Sequence, residues 1–216
     1  MTKRRGVFIT FEGGDGCGKS TQMRLLAERL RKEGRDVLET AEPGGTRIGE
    51  QIRRILLDSA NQDLRAVPEL LLYFASRAQN VEELILPALE RGAIVLSDRF
   101  TDSSMAYQGY GRGLGEEAVL ALDRIACHGL IPDLTLLIDI DIDASLARAR
   151  ERKLGHSESR MDEQTLEFHN CVRKAYLRLA GREPRRFRVI DGRRSIEAVA
   201  AAVWEAVGPL VTIIDV

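Results

Sequence analysis

Gly13-Gly14-Asp15-Gly16-Cys17-Gly18-Lys19-Ser20 decides how this chain is read. A glycine, four variable residues, Gly-Lys and a hydroxyl residue make the phosphate-cradling pattern G-x-x-x-x-G-K-[ST]. Val7 to Glu12, just before it, is a short apolar run. Just after it, Met23, Leu25, Leu26 and Leu30 fall at helical spacing between Lys19 and Glu33, and Gly34 closes the segment. Strand, glycine loop and helix are the context in which this motif has chemical meaning. The glycines let backbone N–H groups turn toward phosphate oxygens, and the helix N-terminus aims its dipole at the same place. Lys19 would neutralise β- and γ-phosphate oxygens and Ser20 would hold Mg²⁺. Gly13, Gly14, Asp15, Gly16, Cys17, Gly18, Lys19, Ser20 and the following Thr21 form the expected ATP-binding set.

Outward from the loop, strands and helices alternate. Asp36 to Thr40, Ala93 to Ser97, Leu134 to Ile140 and Phe187 to Ile190 read as strands. Helices are expected from Ile48 to Leu57, from Pro68 to Arg91, from Glu116 to Cys127, from Asp143 to Lys153, from Glu163 to Ala180 and from Ile196 to Val207. Asp102 to Gly115, with four glycines, reads as irregular. Five strands alternating with helices predict an α/β three-layer P-loop fold, a parallel sheet with helices on both faces, formed as a single domain over residues 1–216 with a short lid at about 148–162.

The 216 residues carry 32 Lys plus Arg against 33 Asp plus Glu, so no broad basic surface for nucleic acid or an anionic membrane is expected. Any anion site must be local. No apolar run reaches the roughly 18 residues that span a bilayer, and the start lacks a signal-peptide pattern, so the chain reads as cytoplasmic. Cys17, Cys127 and Cys171 have no CxxC spacing and suggest neither a disulfide framework nor a zinc site. The absence of an NKxD or TKxD segment argues against a GTPase, and the absence of an LSGGQ-like segment against a transporter ATPase. Small kinases and nucleotide-driven ligases remain.

A second substrate would bind beside the phosphate loop, at the carboxyl edge of the sheet. Asp98-Arg99-Phe100 follows the third strand there. Its carboxylate suits Mg²⁺ and its guanidinium an acceptor phosphate, although a salt-bridged strand end would use the same residues. Tyr73 and Arg77 lie one helical turn apart, as a pair that would sandwich and edge-bond a base, or as core packing.

These residues together resemble the thymidylate kinase family. The resemblance runs from the phosphate loop through Glu42-Pro43-Gly44-Gly45-Thr46, Tyr73 to Arg77, Asp98-Arg99-Phe100 and Ser103-Ser104-Met105-Ala106-Tyr107-Gln108-Gly109, to Leu136–Asp141, Arg160 and Met161-Asp162-Glu163. It implies transfer of the γ-phosphoryl group of ATP to dTMP, with Mg²⁺, in a homodimer. It also implies a dTMP site made of Asp15, Glu42, Pro43, Arg53, Tyr73, Arg77, Arg99, Ser103, Ser104, Tyr107 and Gln108, with Ser20 and Asp98 at the metal. Asp15 would lie near the sugar and phosphate, and Arg99, aided by Arg53, would grip the phosphate. Tyr73 replaces the Phe that usually stacks on thymine. Arg77 would donate to O4, Ser104 or Gln108 would face N3, and Tyr107 would press on the 2′ position.

Some members of the family carry an Arg where Gly16 stands here, so a catalytic arginine is expected from the lid. Arg148, Arg150, Arg152, Lys153 and Arg160 supply five positive charges against Glu151 and Glu158, with Arg152 and then Arg160 the foremost candidates. A solvated basic helix face is the plainer reading of the same charges. The other readings of the whole chain are a same-fold kinase for a different nucleoside monophosphate, and a nucleotide sensor without turnover. The complete loop pattern makes Lys19→Ala decisive between kinase and inert turn: the folded variant should lose at least about 10²-fold in turnover, and near-normal turnover would sink the loop assignment.

Overall fold

A computed structural model of the protein describes residues 6–145, 160–161 and 164–212. The strands are β1 (Val7–Glu12), β2 (Val37–Ala41), β3 (Ile94–Asp98), β4 (Leu134–Asp139) and β5 (Phe187–Asp191). They form one parallel sheet in the order β2-β3-β1-β4-β5. β1 is buried along its whole length because strands flank it on both sides and helices cover both faces. Phe11 pairs with Asp98, and Asp98 with Ala41, so the carboxyl ends of β1, β2 and β3 finish level. Strand order reverses around β1, which puts the glycine loop at the crevice where such sheets take ligands.

The helices are α1 (Lys19–Lys32), α2 (Arg47–Leu57), α3 (Ala66–Asn80), α4 (Leu86–Glu90), α5 (Thr101–Ser104), α6 (Glu116–Ala126), α7 (Leu166–Arg182) and α8 (Ile196–Thr212). Thr46 caps α2 by accepting from Gly49 N at 2.9 Å, and Thr165 caps α7 by accepting from Phe168 N at 3.2 Å. Alternation along β1 divides the core. Ile9 and Phe11 pack toward α1 and α8 with Leu26, Leu30, Val203 and Val207, while Phe8 packs with Phe74, Phe100, Val119 and Tyr176 on the other face.

Two segments differ from the sequence reading. The helix expected from Pro68 to Arg91 is interrupted at Val81–Ile85 by a wider π turn, closed by Leu86 N–H on Val81 O. Pro87 explains it: proline has no N–H to donate and its ring crowds the carbonyl four residues back, so the ladder shifts by one residue. Asp102 to Gly115, read as irregular, instead continues α5 into a π-helical stretch, Met105–Gly111, ending with Arg112 N–H on Tyr107 O at 2.8 Å. Its glycines serve packing as well as turning. A Cβ on Gly111 would meet the Phe168 ring of α7 at 2.7 Å. The helix after Asp143, with Arg148, Arg150, Arg152 and Lys153, falls outside the described residues beyond position 145.

The face of β1 that carries Phe8 also carries Thr10 and Glu12, so a polar seam enters the core. Thr10 shares a hydrogen bond with Thr135 at 2.9 Å, and Thr135 in turn donates to Asp102. Glu12 is wholly buried and accepts from Phe100 N at 2.8 Å, Ser103 Oγ at 2.6 Å and Tyr176 Oη at 2.9 Å. Burial, with the Asp102 charge, pushes its carboxyl up to about 7 against the pull of those donors and Arg99. A group that binds its proton more tightly folded than unfolded contributes stability below its unfolded value, and that stability is lost as pH rises through the folded value. Denaturation midpoints should therefore fall for the native chain relative to Glu12→Gln between pH 4.5 and 7, on the order of 3 kcal/mol in all. Parallel pH profiles for the two proteins would contradict the buried-acid assignment.

Candidate active site

The glycine loop is shaped by contacts only glycine permits. Gly13 has φ +135°, and a Cβ there would meet Ile138 O at 2.5 Å. Lys19, the first residue of α1, folds back with Nζ donating to Gly14 O at 2.8 Å and Gly13 O at 3.1 Å. Cys17 is buried, its Sγ 3.7 Å from that ammonium. Ser20 Oγ donates to Asp98 Oδ2 at 2.7 Å, so the two residues expected at the metal share one spot between β1 and β3.

Arg99 follows β3 in the left-handed region, φ 75°, a strained backbone for a side chain of its size. Its backbone is held there by Arg99 N donating to Phe11 O at 2.9 Å and by Ser97 Oγ donating to Arg99 O at 2.7 Å. The guanidinium crosses to the glycine loop. Nη2 donates to Asp15 Oδ1 at 2.8 Å and Tyr107 Oη at 3.2 Å, while Nη1 reaches Gly13 O, Ser103 Oγ and Tyr176 Oη at 3.0–3.2 Å. Burial would raise the Asp15 carboxyl, but the charges of Arg99 and then Lys19 outweigh it and hold the group well below the usual carboxylate range. Asp15, Lys19, Ser20, Arg53, Asp98 and Arg99 surround a strongly polar cavity of about 150 Å³. Arg53 reaches it from α2, with Nη1 donating to Pro43 O at 2.6 Å.

Beside this cavity Arg77 is fully buried on α3. Nε donates to Glu42 Oε2 at 2.5 Å, and Nη2 to Phe100 O at 3.1 Å and Ser104 Oγ at 3.0 Å. Nη1 is buried and has no hydrogen-bond partner among the described residues. Tyr73, one turn earlier, is half-buried, its hydroxyl pushed up to about 12 by burial and by the Glu69 charge. The Tyr107 ring stacks edge-on against Phe168 and Tyr176, with its hydroxyl near Asp15 and Arg99.

Three of the expected site residues make extensive contacts within the protein. Glu42, expected on the ligand, directs its carboxylate to Arg77 and to Asn80 Nδ2 at 3.1 Å, so it supports Arg77. Ser103 hydrogen-bonds Glu12, Tyr176 and Arg99, which makes it a support for Arg99. Arg160, expected as a lid cation over the phosphates, is 2% exposed, its Nε donating to Leu56 O and its Nη2 2.7 Å from Glu69. In this structure its guanidinium is held by a buried carboxylate and a backbone carbonyl. Arg152 lies outside the described residues.

Glu12, Tyr176 and Glu69 were missed because each looks like part of an apolar strand or helix face. Also missed was the wall formed after β5. Gly192, Arg194, Ser195 and Ile196 close a cavity of about 450 Å³ against Gly16, Cys17, Gly18 and Thr21. The Asp191-Gly192 step after a strand was the available signal.

Comparison with known proteins agrees with this geometry. The family model described as thymidylate kinase matches residues 11–203. A thymidylate kinase of Pelobacter propionicus is 51% identical over 201 residues, covering 92% of each chain. One from Caldanaerobacter subterraneus is 52% identical over 203 residues, covering 94% of this chain and 95% of its own. The crystal structure of thymidylate kinase from Ehrlichia chaffeensis superposes with a TM-score of 0.77 at 34% identity, over 94% of this chain and 99% of that one. Phosphate loop, buried arginine hub and sequence match agree, and the chain belongs to the thymidylate kinase family.

Proposed function

We propose that the chain transfers the γ-phosphoryl group of ATP to dTMP, giving dTDP and ADP, and that the two phosphate groups meet in the polar cavity between Lys19, Arg53 and Arg99. The observation that carries this is the convergence of three cations, from α1, α2 and the loop after β3, on one cavity of about 150 Å³. An oxygen of the acceptor phosphate forms a bond to the γ-phosphorus as the bond to the ADP oxygen breaks, so the protein's work is alignment and charge compensation. Arg99 keeps its Nε–H undonated to any described residue and grips the acceptor phosphate from its pinned position, with Arg53 beside it. Lys19 swings from loop carbonyls to phosphate oxygens.

The hydroxyl of Ser20 and the carboxylate of Asp98, 2.7 Å apart, are oxygen donors suited to a hard divalent cation, and they would hold Mg²⁺. Bound there, the ion offsets charge on the β- and γ-phosphates. The base then lies between the Tyr73 ring and Nη1 of Arg77, with Ser104 or Gln108 at N3, and Tyr107 closes the sugar's 2′ side. The arginine that completes charge compensation comes from the segment holding Arg148, Arg150 and Arg152. Homodimerisation would bury the exposed Val67 and Leu71 of α3 with Leu120 and Ile125 of α6, helices that pack on each other.

ATP consumption measured against dTMP, dUMP, CMP, UMP and AMP tests the reading. dTMP should be used best, and comparable use of AMP would overturn it. Tyr107→Ala should narrow the preference for dTMP over its ribo counterpart by about 1–3 kcal/mol, because the ring no longer buries a 2′-hydroxyl without a partner. An unchanged ratio would make Tyr107 a packing residue only.

A further inference from the structure

Glu69 of α3 is completely buried and lies at the centre of a charged cluster that the phosphate chemistry does not use. Its Oε1 accepts from Gln108 Nε2 at 2.8 Å and from Arg112 Nε at 3.2 Å. Its Oε2 accepts from Arg112 Nη2 at 3.2 Å and lies 2.7 Å from Arg160 Nη2. The cluster is tied down further by Gln164, which donates to Arg160 O at 2.9 Å and accepts from Arg112 Nη1 at 2.7 Å. Gln108 is itself 1% exposed, on the π-helical stretch Met105–Gly111.

A carboxamide has two ends of nearly equal shape, one donating and one accepting, so packing alone cannot choose its orientation. Glu69 can. Faced by two guanidinium groups, its carboxylate serves as an acceptor, and the amide must turn its NH₂ toward it. A flipped amide would set a carbonyl oxygen against a buried carboxylate, with no hydrogen bond between them. The Gln108 carbonyl is therefore held on the opposite branch, and no described residue donates to its Oε1.

We propose that Glu69 is a specificity-positioning residue, which locks Gln108 with its carbonyl oxygen presented to the base and so selects a pyrimidine that donates at N3. Thymine carries N3–H and satisfies that oxygen. Cytosine has a bare nitrogen at N3, so two acceptors would face each other in a dry pocket, the arrangement that gives the strongest rejection of a wrong ligand. The inference rests on the reading above in which Gln108 faces N3 of the base, and it adds the reason that the amide has one fixed polarity.

The test compares kcat/KM for dTMP and dCMP in the native enzyme, Glu69→Gln and Gln108→Leu, with ATP KM and melting temperature as controls. In Glu69→Gln the new amide can donate to Gln108, whose own NH₂ becomes free to meet cytosine. The dTMP-to-dCMP preference should fall by about 10- to 100-fold, carried by KM for dTMP, with ATP KM unchanged. A folded Glu69→Gln enzyme that keeps its full preference, or that loses both nucleotides equally, would overturn the proposal. Gln108→Leu should also lose preference; if it does not, the base-site reading fails independently of Glu69. Should Glu69→Gln not fold because Arg112 and Arg160 lose their counter-charge, Glu69→Asp keeps that charge while withdrawing the acceptor from Gln108. The same direction of loss is then expected, and an unchanged preference overturns the proposal.

Discussion

The ion pair between Arg99 and Asp15, 2.8 Å long, ties the loop after β3 to the glycine loop after β1, and most of the site is arranged by it. Arg99 reaches that position only by taking a left-handed backbone, which costs about 1–2 kcal/mol for a residue with a Cβ. Stability elsewhere offsets this. Glu12, buried under the guanidinium, fixes Ser103 and Tyr176, and each of these presents an oxygen to Arg99. Side chains from β1, α5, the π-helical stretch and α7 thus converge on one cation, and its orientation is set before any ligand arrives.

The same logic repeats one step away along α3. Glu42 fixes Arg77, Pro43 O fixes Arg53, and Glu69 engages Gln108, Arg112 and Arg160. Arg77, Arg53 and Gln108, proposed to face the substrate, are each held by one of these neighbours. A buried ion pair of this kind adds little net stability, because desolvating both partners offsets their attraction, but removing one partner is severe. The arrangement is better understood as precision in the site than as strength in the fold.

The sheet was legible because the parallel strands are short apolar runs between helices, and the glycine loop because its pattern is rigid. The residues proposed for the dTMP site were legible only through family resemblance, since Tyr73 or Tyr107 at helical spacing looks like core. Boundaries shifted by about one residue at β2 and β3, where the ladder runs on to pair Ala41 with Asp98 and Asp98 with Phe11. The π turns were invisible because they arise from hydrogen-bond rearrangement at Pro87 and from Gly111 packed against α7. A run of arginines gives no hint that one of them, Arg160, meets a buried Glu69 far away in sequence. Glu12 could have been noticed as a carboxylate on the same face as Phe8, two strand steps further on.

The central claim is that Arg99 is preorganised for the acceptor phosphate and not for the donor. Paired equilibrium titrations of dTMP and ATP against the native protein and Arg99→Ala test it most directly. A charge-assisted contact to phosphate is worth roughly 1.5–3 kcal/mol, so dTMP should bind about 10- to 150-fold more weakly while ATP affinity stays nearly constant. Equal losses for both nucleotides would contradict the claim and make Arg99 a structural member of the Asp15 ion pair.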